Sequence, residues 1–141
     1  MPVEAIIAIQ DRLDTTHDLA AVYQAGWDAF ELIQDVAARC AEPGSSSFAT
    51  WMTVMGPACA GRDALGIAPS LPQAHGHPAI LESIEAATED DLADELATLA
   101  AALGSRLLRA AQSAADPADR RACQLAADAA EEIRELLVRG D

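Results

Sequence analysis

Apolar residues return every three or four positions through most of the chain, which is the period of a helix with one buried side. The register is sharpest near the C-terminus, where Leu92, Leu96, Leu99, Leu103 and Leu107 form one stripe. Ala118, Ala122, Leu125, Ala129 and Ile133 form a second with the same spacing. Asp116-Pro117 lies between them. Aspartate caps a helix start by accepting from first-turn N–H groups, and proline fits the first helical position, where no N–H is required. The pattern therefore predicts two antiparallel helices over 89–138, joined by a short turn.

Upstream, Leu19, Val22, Gly26, Phe30, Ile33, Ala37 and Cys40 predict a helix over 16–41, with Thr15 and Asp18 reading as a capping box at its start. Gly26 on the apolar side admits close approach of a neighbour, while Tyr23, Trp27 and Phe30 supply bulk around it. This helix is expected at the centre of the fold. Val3, Ile6, Ile9 and Leu13 suggest a shorter one over 2–13.

Glu42-Pro43-Gly44 stops the central helix, and Ser45, Ser46 and Ser47 offer caps for another over 47–64. Its buried side is read as Phe48, Trp51 or Met52, Met55 and Cys59. Gly56-Pro57 interrupts that run, and a proline here removes a backbone donor and crowds the carbonyl of Thr53, so a kink or restart is expected. Residues 66–78 are rich in Gly and Pro and predict a long loop. After it, His77-Pro78 opens a helix carrying Leu81, Ile84 and Ala87, and Thr88 with Asp91 caps the first hairpin helix. The fold class is all-α: one domain over 1–141, a bundle of five helices, or six when 2–13 also forms one.

Composition supports this. Apolar residues make up 51% of the chain, much of it Ala, and aromatic residues only 4%, so helices should approach closely over small side chains. Val and Ile are few, and no stretch alternates apolar with polar over a strand's length. At 141 residues the chain can bury one core without disulfides or metal. Cys40, Cys59 and Cys123 are odd in number and set among apolar residues, which suits reduced, buried thiols.

Nine basic residues against 23 acidic ones give a net charge of −14, which repels a phosphate backbone and argues against direct nucleic-acid binding. All nine are Arg, and the absence of Lys excludes Schiff-base chemistry and a P-loop lysine. The joint absence of Lys and Asn is the bias of GC-rich coding DNA and suggests a bacterial source. The first residues carry no basic stretch and only a brief apolar run, so a cytoplasmic protein without membrane attachment is expected.

Charge along the hairpin is uneven. Antiparallel pairing would set Glu89, Asp90, Asp91, Asp94 and Glu95 beside Asp128, Glu131, Glu132 and Glu135, and gather Arg106, Arg109, Arg120 and Arg121 at the bend. In the first helix this order agrees with the macrodipole; in the second it opposes it, so helix stability alone does not account for it. Ordinary solvation is the bland explanation. The functional one is a docking surface for a protein partner with a basic face, built from Asp90, Asp91, Asp94, Glu95, Glu131, Glu132 and Glu135.

A second candidate is a small apolar ligand pocket walled by Trp27, Trp51, Met52, Met55 and Cys59, beside the 66–78 loop. His75 and His77 are weak candidate metal ligands, since no spacing names a third. No cofactor is expected, and no nucleophile–base pattern or nucleotide-binding motif stands out. Ala93, Ala97, Ala100 and Leu108 offer a further apolar surface that would suit a homodimer or other homo-oligomer. The sequence thus favours a non-catalytic regulatory or accessory interaction protein, with a small-ligand binder, enzymatic or not, as the alternative.

Overall fold

The computed structural model describes residues 4–16, 18–69 and 88–139. Among these lie five helices, α1 (Glu4–Thr15), α2 (Leu19–Cys40), α3 (Phe48–Gly66), α4 (Glu89–Ser113) and α5 (Pro117–Arg139), and no strand. The predicted helix after Pro78 and the body of the 66–78 loop fall outside the described residues.

α4 and α5 pack antiparallel along their lengths, as the two stripes and the Asp-Pro turn require. Thr88 Oγ1 accepts from Asp91 N at 3.1 Å, and Asp116 Oδ1 accepts from Ala118 N at 2.8 Å, so both helix starts are capped by the expected residues. All five leucines of the α4 stripe are buried, each removed from water at a gain of about 1.5–3 kcal/mol. The α5 stripe is displaced from its expected phase. Ala118 and Leu125 face outward, and the buried arc is Asp119, Ala122, Cys123, Ala126, Ala127, Ala129, Ala130, Ile133 and Leu137. The reason is packing on two sides: α5 lies against both α4 and α3, and its alanines permit that close approach where a leucine would not.

α2 carries the central core residues, with Tyr23, Phe30, Leu32 and Ile33 fully enclosed. Its cap is Asp18, whose Oδ1 accepts from Ala21 N at 2.9 Å; Thr15 instead ends α1 and donates to Asp11 O at 2.8 Å. The expected Thr15 capping box does not form because the chain turns between Thr15 and Asp18, leaving one residue to each helix. Across this corner Arg12 Nη1 donates to the buried Asp28 Oδ2 at 2.7 Å, and Gln24 Nε2 to Asp28 Oδ1 at 3.2 Å, which ties α1 to α2. A carboxylate this deeply enclosed is tolerated only when so paired.

α3 does not restart at Gly56-Pro57. One helix runs through Pro57, whose ring is buried, so packing offsets the lost backbone bond. Its buried side is Trp51, Val54, Pro57, Ala58, Gly61 and Leu65, while Met52 is 49% exposed. Two glycines explain how α2 and α3 fit: a Cβ on Gly61 would sit 2.4 Å from the Phe30 ring, and one on Gly26 would sit 3.0 Å from Leu65 Cδ1. Each helix thus presents a bulky side chain to the other's glycine. Between them, Gly44 takes a positive φ of 93°, the backbone state that suits glycine at a tight turn. Ser45 and Ser47 do not cap α3 through their side chains; both hydroxyls donate to the Glu89 carboxylate and anchor this connection on the first turn of α4.

Candidate functional site

The acidic residues of the hairpin collect at one end, though not as one flat patch. Gly104 lies against Ala127 and Ala130, and Ala101 shares a cleft with Asp128 and Glu131. Carried along the helices, this register sets Glu135 beside the third turn of α4, within about one turn of Asp94 and Glu95, and Glu131 and Glu132 one turn further on, level with Ala100 and Ala101. Asp90 and Asp91 project past the end of α5. Asp90, Asp91, Asp94, Glu131, Glu132 and Glu135 are exposed, and Glu95 is half-buried. Glu131 takes a bidentate bond from Arg134, 2.5 Å at its shorter arm, which holds its carboxyl below the usual range. Glu89 is drawn inward by the serines. Beside Asp94 and Glu95, the α1 residues Ile6, Ile7 and Gln10 close a cleft of about 240 Å³ in which Ile7 keeps an apolar surface open to solvent.

At the other end the four arginines divide. Arg106 turns toward the α1–α2 corner and donates through Nη2 to Thr16 O. Arg109 shares a cleft with it, Arg120 folds back on Ala115 O at 3.5 Å, and Arg121 stands exposed.

The expected ligand wall does not assemble. Trp51 is 1% exposed and belongs to the core, Met52 points to solvent, and Met55 packs half-buried against the core. Neighbouring helical positions diverge by about a quarter turn, so Trp51 and Met52 cannot face one cavity together. Trp27 and Cys59 do come near each other, through Arg62: its guanidinium lies over the Trp27 ring at 5.7 Å and its Nη2 is 3.6 Å from Cys59 Sγ. Trp27 Nε1 donates to Glu31 at 3.1 Å, and burial raises the Asp35 carboxyl while Arg62 opposes the rise. Trp27, Arg62 and Cys59 thus form one seam, and the 66–78 side of the expected pocket lies almost wholly outside the described residues. His75 and His77 lie outside the described residues, among which no group of three or more His, Cys, Asp or Glu is placed to hold a metal ion. No helix among them is long and apolar enough to cross a membrane. Of the proposed dimer surface, Ala100 is buried, Ala93 and Ala97 pack on the core, and Leu108 alone is exposed, at 51%.

A polar cluster that the periodicity did not reveal joins α2 to α5. Tyr23 Oη donates to Asp119 O at 3.0 Å and Oδ1 at 3.1 Å, and Cys123 Sγ donates to Tyr23 Oη at 3.4 Å, all enclosed. Burial foremost raises both the tyrosine and the thiol, so both hold their protons at neutral pH. One signal for it existed: Asp119 breaks the alanine run on the buried phase of α5. Compared with protein-family models, with curated proteins and with solved structures, the chain matches none.

Proposed function

We propose that this is a non-catalytic interaction protein whose acidic hairpin end docks a partner with a basic surface. The observation that supports it is the antiparallel α4–α5 pairing, which puts the acids at the start of α4 and those near the end of α5 in the same half of the hairpin, where the latter oppose that helix's own dipole. The Glu131–Arg134 pair offsets part of that cost within α5; attraction of a cationic surface gives the placement a further role. The cleft beside it fits the side chain such a partner would offer, with Ile7 to take an aliphatic stem and Asp94 to meet an arginine or lysine head.

The test is affinity capture from a bacterial lysate with the full chain as bait. Reversing Asp91, Asp94, Glu131 and Glu135 to Arg is expected to abolish retention of a basic protein that the unaltered chain holds. A control reverses Glu4, Asp11, Glu42 and Asp63, which are exposed and lie off the hairpin, with the same change in net charge. Retention surviving only in the control supports the reading; equal loss in both, or loss in neither, ends it. Helix content by circular dichroism confirms that each variant is folded.

A further inference from the structure

We propose that the cleft between the α1–α2 corner and the C-terminal half of α4 binds a small organic monocarboxylate with a short aliphatic tail. The site lies at the opposite end of the hairpin from the acidic surface and does not depend on it. It has a volume of about 290 Å³ and is lined by Asp14, Leu19, Val22, Arg106, Arg109 and Ala110, closed by Ser113 and Ala114.

Two guanidinium groups share this cleft, and among the described residues no carboxylate pairs with either, in a chain whose acids outnumber its bases 23 to 9. Arg106 is also held in place: Nη2 is fixed on the Thr16 carbonyl, and its Nε and the Thr16 hydroxyl are enclosed without hydrogen-bond partners among the described residues. A planar donor anchored at one edge is ready to meet a carboxylate at another, and Arg109, which is exposed, can close on the same anion. The Ser113 hydroxyl is occupied by Arg109 O and Ala110 O.

The remaining lining selects the ligand. Leu19, Val22, Ala110 and Ala114 give an apolar wall that a bare phosphate would leave unused and that a tail of a few methylenes would cover. Asp14 on the rim repels a second negative charge, which favours a monoanion.

The probe is hexanoate, titrated into the full chain while the methyl resonances of Leu19 and Val22 are followed by NMR. Saturable shifts are expected with a dissociation constant of about 1 mM or below, the scale a ligand of this size reaches. Hexan-1-ol, which lacks the charge, and inorganic phosphate, which lacks the tail, should each bind at least about tenfold more weakly. Arg109→Gln, an exposed position that keeps the fold, should weaken hexanoate about tenfold or more, and Arg121→Gln, with the same charge change outside the cleft, should leave it unaltered. Methyls that stay unmoved at about 20 mM hexanoate, twentyfold above the expected constant, overturn the proposal. So does equal weakening by the two Arg variants, or alcohol or phosphate binding as well as the acid.

Discussion

The α2/α3 seam and the α4/α5 seam both bring a glycine against a neighbouring helix, yet the two glycines are not equivalent. At Gly61 the space of the absent side chain is filled by the Phe30 ring, with an added Cβ only 2.4 Å from it; at Gly104 the same atom would meet Ala130 Cβ at 3.7 Å, an ordinary contact. One seam is a bulky ring seated in a glycine notch, which admits no addition. The other is a layer of leucines over alanines with room to spare. Specific fit holds the first together, and regular pattern the second.

Gly61→Ala separates the two most sharply. Because α2 and α3 must part or Phe30 must leave its place, a loss of about 3 kcal/mol is expected, measured as a shift in the urea midpoint at constant slope. A midpoint like the parent's would mean that the ring does not occupy the notch. Gly104→Ala is expected to do the reverse, adding about 0.5–1 kcal/mol by replacing a flexible residue with the best helix former where no contact opposes it. If it destabilises instead, the α4/α5 seam is tighter than its contacts indicate.

The smallest effect concerns pH. Burial, with Glu89 and Glu42 adding and Arg39 opposing, pushes the Cys40 thiol at the end of α2 from 9.0 up to about 11. The folded chain then keeps a proton that the unfolded chain releases, so its contribution is intact below about pH 9 and is lost as pH rises toward about 11. Melting temperature should fall through that window, and Cys40→Ala should flatten the fall without removing it, since the Cys123 thiol and the Tyr23 hydroxyl are raised as well. An identical profile for parent and variant would show that Cys40 is not enclosed as described.

The same contrast separates what could be read along the chain from what could not. The leucine stripe of α4 and the caps at Thr88 and Asp116 are local: they depend on a period of three to four residues and on side chains reaching N–H groups two or three positions away. The buried phase of α5 was misplaced by about one residue because alanine is indifferent to exposure, so a run of alanines marks a helix without marking its inner side. In α3 the methionines point to the wrong face for a related reason: Met52 is apolar yet points outward, while Pro57, which the pattern treats as a breaker, and Gly61, which it passes over, are buried.

The candidate surfaces divide in the same way. That acids gather near the start of α4 and the end of α5 is written in the order of residues, and their placement in the same half of the hairpin follows once the Asp-Pro turn reverses the chain. No such reading was available for the arginine cleft or for the Tyr23–Asp119–Cys123 cluster, whose members lie far apart in sequence. The sequence alone determined that this chain is a helical bundle with a polar, antiparallel C-terminal hairpin, because helix period, capping and chain reversal are short-range physics. Tertiary structure decided which side of α5 is inside, which glycine is a notch, and which arginines lie unpaired, because each of those depends on what a distant helix places in the remaining space.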